Sequence, residues 1–200
     1  MKRSIKDDFN MISILLIPIG VAINFTGFWL VSILRLPIWL DTIGTILVGI
    51  LAGPWVAICT GLTMNLVAGV FNPTMIPYAI TSMAIGMVAG FMASKGLFKT
   101  PIKTIICGVA ITLTATIVSA PITVLVFGGS TGGTSSILTA VFLTAGQNIW
   151  TAVFSSAFIL EITDKILSCF VAFLIVKRMS ERYLAKMNNG HIYMHETKAQ

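Results

Sequence analysis

Apolar residues run along this chain in long blocks, broken by short polar or glycine- and proline-rich stretches. A transmembrane helix needs about 20 apolar residues, with a range of about 17–25. That length fits "MISILLIPIGVAINFTGFWLVSIL" (residues 11–34), where Pro18 predicts a kink. The next two blocks, residues 38–52 and 54–71, meet at "AGPW" (residues 52–55), a turn too tight to leave the membrane far behind. The second of the three is short. Further spans are predicted at residues 77–93, 104–127 and 152–176. Between the last two, "FGGSTGGTSS" (residues 127–136) reads as a flexible loop. "ILTAVFLTAGQNIW" (residues 137–150) reads as a helix lying on or re-entering the outer face. The pattern predicts an all-α integral membrane protein: a compact six-transmembrane-helix bundle over residues 1–180. Residues 181–200 then form a polar cytoplasmic tail, expected to be disordered and carrying His191 and His195. No internal repeat is evident.

Composition sharpens this picture. The 200 residues are 56% hydrophobic and 10% charged, against about 25% charged in soluble domains. No length is left for a separate soluble catalytic domain. The net charge of +6 reads as membrane orientation rather than nucleic-acid binding. With the N-terminus inside, Lys2, Arg3, Lys6, Lys95, Lys99, Lys103, Lys177, Arg178, Arg182, Lys186 and Lys198 all fall in the cytoplasm. Only Arg35 is placed outside, and Lys165 lies within the membrane, as the positive-inside rule requires. The expected location is a prokaryotic plasma membrane, multi-pass, with both termini cytoplasmic. The basic start and apolar run look like a signal peptide, but the run continues to Leu34 with no cleavage site, so a retained helix is expected. Cys59, Cys107 and Cys169 sit in apolar spans without metal-ligand spacing and read as reduced packing residues.

The last span contains "FILEITDKILSCF" (residues 158–170), with three ionisable groups in an apolar run. Glu161, Asp164 and Lys165 are spaced i, i+3, i+4 and share one helical face. Lys165 stands roughly 18 Å along the helix from Lys177, near mid-membrane. Charges there cost about 2.5–3.5 kcal/mol each on insertion scales, so they should face the bundle interior and pair. Two compatible readings follow: a Glu161–Lys165 salt bridge that fixes register, or the polar wall of a binding cavity.

Other polar groups fall in the same outward half. Asp41 either caps the second span, favoured by the helix dipole, or contacts a ligand. Asn65 lies toward the outside of the third span, and Tyr78 opens the fourth as interfacial anchor or ligand contact. Gln147, Asn148 and Trp150 ("GQNIW") either frame an entrance or begin a helix. Trp29, Trp39 and Trp55 fit an interface belt better than a ligand platform. Small residues mark close helix approach: Gly86 with Gly90, and Gly20, Ala22 and Thr26 in the first span. They serve internal packing or a docking face for a membrane partner.

No Walker A, HExxH or GxSxG signature is present. Both His residues are in the tail, which excludes His-based acid–base chemistry in the membrane. No enzyme, cofactor or metal site is expected. The stretch "LPIWLDTIGTILVGILAGPWVAICTGLTMNLVAG…NPTMIPYAITSMAIGMVAGFMASKG" (residues 36–96) and the end "DKILSCFVAFLIVKRMSER" (residues 164–182) resemble the substrate-specific S component of energy-coupling factor (ECF) transporters. The resemblance implies a six-helix fold that captures a vitamin or related micronutrient from outside, under a lid made by the first and third outer loops. It implies as partners a transmembrane coupling protein and two ATPase subunits, separate chains that drive a toppling motion in the bilayer. The family's A-x-x-x-A docking motif is matched here only by Ala22 and Thr26 in "GVAINFTG". The acidic excess of Asp41, Glu161 and Asp164 over Arg35 and Lys165 leans toward a neutral or cationic ligand. Competing functions are a membrane-embedded ligand sensor and a self-sufficient proton-coupled carrier, with Glu161 and Asp164 relaying protons.

Overall fold

The computed structural model describes residues 8–34, 36–132 and 134–194. The placements of Lys2, Arg3, Lys6, Arg35, His195 and Lys198 lie outside those residues. The described chain is all-helical: α1 (Met11–Leu34), α2 (Ile43–Ala52), α3 (Pro54–Phe71), α4 (Ala79–Ser94), α5 (Pro101–Phe127), α6 (Thr134–Thr144), α7 (Ile149–Arg178), α8 (Glu181–Leu184) and α9 (Gly190–Tyr193). A 3-10 turn (Pro73–Met75) links α3 to α4. Three helices, α1, α3 and α5, are long and apolar enough to cross a membrane. At 30 residues α7 is longer still, but its three ions interrupt the apolar run.

Burial follows the logic of a lipid-exposed bundle. Large apolar side chains point outward, with Met11 81%, Val70 80% and Leu125 75% exposed, while Ala57, Ala89, Ala115 and Ala172 are fully buried. Without a hydrophobic drive between helices in lipid, small residues that let backbones approach closely set the packing. A Cβ on Gly20 would lie 2.8 Å from Thr60 and Val48, and one on Gly86 2.7 Å from the Ala57 backbone. Gly90 is held as closely against Pro54. Gly20, Gly86 and Gly90 are therefore inside the bundle and form no docking face. Ala22 and Thr26 are exposed on α1.

At the centre stands α2, all ten of whose residues are buried. It packs against α1, α3, α4 and α7, which explains its apolar character on every side. Asn24 of α1 is matched to it: the amide donates to Thr45 at 2.8 Å, and its oxygen accepts from the Gly44 N–H at 2.6 Å. The second span was expected from residue 38, yet the helix begins at Ile43. Trp39 and Leu40 instead donate their backbone N–H groups to Asp164 at 3.1 and 2.8 Å, and Leu40 takes a positive φ of 49°. A distant carboxylate overrides the local apolar pattern.

The tail from residue 181 also departs from expectation. Through residue 194 it folds back under the bundle, with Leu184 and Asn189 buried. The last carbonyls of α2 lack intrahelical partners, and the returning segment supplies donors. The Asn189 N–H donates to Leu51 at 3.0 Å, and the Asn188 amide to Ala52 at 3.2 Å and to Asp8 at 2.8 Å. The Tyr193 hydroxyl donates to Ala93 at 2.7 Å; burial pushes its phenol above the ordinary value. The described N- and C-terminal residues thus meet at one end of the bundle.

Candidate functional site

At the opposite end lies a cavity of about 160 Å³. Its walls come from the loop before α2, from α3, α4, α5, α6 and α7, and from the segments that follow α3 and α5. α7 contributes Glu161 and Lys165 one turn apart, as i, i+4 geometry requires. The Lys165 ammonium lies 2.6 Å from Asp164, 3.0 Å from Glu161 and 3.9 Å from Asp41. It also donates to the Thr42 hydroxyl at 3.3 Å. All four ions are shielded: Asp164 is fully buried, Lys165 is 2% exposed, and the Glu161 and Asp41 side chains are 11% and 20% exposed.

The three carboxylates are not equivalent. Asp164 spends one oxygen on the Trp39 and Leu40 N–H groups and the other on Lys165. Both of its oxygens are engaged, and it is absent from the cavity lining. Glu161 and Asp41 both line the cavity. Glu161 Oε2 meets the Lys165 ammonium at 3.0 Å, and because a carboxylate oxygen accepts more than one bond, Glu161 keeps accepting capacity toward the cavity.

Above the ions the lining is aromatic and hydroxylic. Tyr78 stacks on Phe127, with centroids 5.7 Å apart and planes 8° apart, and its hydroxyl meets the Thr123 hydroxyl at 2.7 Å. Asn65 donates to Gly61 at 3.0 Å and to Ser82 at 2.6 Å. Thr81, 6% exposed, lines the cavity with a hydroxyl that has no partner.

No family model, curated protein or solved structure matches this chain.

The geometry therefore carries the reading of the site. The structure brings Asp41, Asn65, Tyr78, Glu161 and Lys165 to one cavity, with Asp164 behind them. It does not bring Gln147, Asn148 or Trp150 there. All three are exposed, and Asn148 caps α7 by accepting from the Thr151 N–H at 3.0 Å. "GQNIW" is an ordinary helix start. Asp41 does not cap α2 either, since Thr42 occupies that position. Sequence reasoning missed Thr81, Ser119 and Thr123, and it read Trp39 as an interface residue although Trp39 lines the cavity. The i, i+4 spacing of Ser119 and Thr123 in an apolar span was the signal available. Among the described residues no group of His, Cys, Asp and Glu is arranged to hold a metal ion.

Proposed function

We propose that this chain is the substrate-binding S component of an ECF-type importer in a prokaryotic plasma membrane. In this reading the cavity faces outward and captures a vitamin or related small heterocyclic micronutrient. The loop before α2 and the segment linking α3 to α4 form the rim. Helices α1 to α5 and α7 make six crossings, α2 together with the loop that leads into it. A transmembrane coupling protein and two ATPase subunits, as separate chains, drive the toppling that turns the cavity inward. Ala22 and Thr26, exposed on α1, are the remaining candidates for docking that protein. The chain itself performs no catalysis.

One observation carries the proposal. Four ionisable groups in an apolar bundle are buried together, three of them (Asp41, Glu161 and Lys165) on the wall of a cavity at the end away from Lys95, Lys99, Lys177 and Arg178. A salt bridge that only fixes register needs no cavity beside it. The positive-inside rule orients the basic end toward the cytoplasm, leaving the cavity toward the exterior.

Native mass spectrometry of the detergent-purified protein is the direct test. A small molecule that co-purifies, and whose uptake in cells requires the ATPase partners, is the expected result. Uptake that persists without any ATPase would favour the proton-coupled carrier instead.

A further inference from the structure

The charge inventory of the cavity defines its ligand further, taking the outward-facing binding chamber proposed above as its basis. Lys165 is matched by Asp164, whose two oxygens are both engaged and which does not line the chamber. Glu161 and Asp41 remain, two carboxylates on the wall with the already paired ammonium between them. Lys165 is the one basic lining residue among those described. The N-termini of α2 and α4 bring about half a positive charge each to the same rim, which does not cancel two carboxylates. The wall thus carries two carboxyl groups beyond the one that balances Lys165.

Independent observations point to a ligand there. The Thr81 hydroxyl on α4 is buried without a hydrogen-bond partner, which costs about 1–3 kcal/mol and suits it to a polar group that arrives with the ligand. Glu161 Oε2 meets the Lys165 ammonium at 3.0 Å, and a carboxylate oxygen accepts more than one bond, so Glu161 can take a further donor. Tyr78 and Trp39 also line the chamber, and aromatic faces attract cations, more strongly when desolvated. The size is limiting as well: about 160 Å³ is close to the roughly 150 Å³ cavity that accepts one benzene.

We propose that the chamber takes a small organic cation, a single-ring ligand bearing a protonated amine or amidine, with its charge between Glu161 and Asp41 and its ring among Tyr78 and Trp39. Anionic ligands of the same size are rejected by the two carboxylates.

The test places a reporter thiol in the chamber. Ser119, which lines it, is replaced by Cys in a chain carrying Cys59→Ala; Cys107 and Cys169 are buried. Whole-protein labelling rates are measured with two methanethiosulfonates of similar size, one bearing a trimethylammonium and one a sulfonate. Each rate is normalised to that reagent's reaction with free cysteine. Acidic clefts concentrate counter-ions about 10- to 1,000-fold, so the cationic reagent should react about tenfold faster or more. Glu161→Gln should reduce that preference several-fold. Asp41→Asn, at a partly exposed loop position, should do the same if the first variant does not fold. Benzamidinium should slow the labelling, and benzamide and benzoate should do so less. Equal rates for the two reagents, or a faster sulfonate, overturn the cation assignment and leave the chamber standing. Failure of both reagents to react means that the chamber is closed to solution, and the transport reading falls with it. Protection by none of the three benzene compounds overturns the single-ring assignment.

Discussion

The two ends of the bundle solve the same problem in opposite ways. Each carries polar groups that the apolar interior would otherwise leave unpaired. At the basic end the returning segment satisfies helix-end carbonyls: Asn188, Asn189 and Tyr193 are donors to those of Ala52, Leu51 and Ala93 respectively. At the acidic end saturation stops one layer short. Asp164 has both oxygens engaged, but the Thr81 hydroxyl beside the cavity has no hydrogen bond, and Glu161 Oε2 meets only Lys165. Completed polar networks rigidify a fold. An incomplete one facing a cavity costs stability in the empty protein, a cost that a ligand can offset.

The largest expected effect comes from Lys165→Met. Breaking a buried ion pair by removing one partner costs about 3–5 kcal/mol, and here three carboxylates would be left facing one another. Reversible unfolding in mixed micelles reads this directly. A change below about 1 kcal/mol, the usual worth of a surface pair, would mean that the acidic end is already solvated and the contrast between the ends is false.

Gly86→Leu tests the packed body between the ends. Its Cβ would meet the Ala57 backbone at 2.7 Å, and overpacking typically costs about 1–3 kcal/mol. The same assay should show that loss whether or not ligand is present. Unaltered stability would return Gly86 to the list of docking candidates.

Asn148→Ala should lose about 0.5–2 kcal/mol, the worth of a helix N-cap, with ligand affinity unchanged. The entrance reading of "GQNIW" gives the opposite expectation, weaker binding with little effect on stability. An affinity loss in isothermal titration would restore "GQNIW" to the entrance.

Tyr193→Phe should have the smallest effect, about 0.5–1.5 kcal/mol for one net hydrogen bond. It should appear as faster proteolysis after residue 180, leaving the cavity untouched. Resistance equal to that of the unsubstituted chain would show that the returning segment is held by its asparagines alone.

What could be read from the sequence was what announces itself locally. Glu161, Asp164 and Lys165 stand out because ions at i, i+3, i+4 have no place in an apolar helix unless sheltered. Both ends of α3 and the C-terminal end of α5 follow from Pro54, Gly128 and the block lengths, whereas α5 begins at Pro101, three residues before its expected start. What could not be read was set by partners far along the chain. Residues 38–40 look like the start of a helix and are held as a loop by Asp164, about 125 positions away. The polar tail looks solvated because its acceptors are the orphan carbonyls of α2. The hydroxyls of Ser119 and Thr123 gave little signal, since Thr in an apolar helix commonly bonds its own backbone, as Thr123 does to Ser119. Glycines at the right spacing for docking were equally right for burial, and only the neighbouring helix decides between the two.

Asp164 ties the rim of the chamber to its floor through a single side chain. Lifting residues 39 and 40 away from α7 would strip that carboxylate of two donors and leave Lys165 as its sole remaining support in a dry interior. Residues 39 and 40 are thus pinned by the same side chain that balances Lys165, and moving them carries the cost of two hydrogen bonds lost by a buried carboxylate.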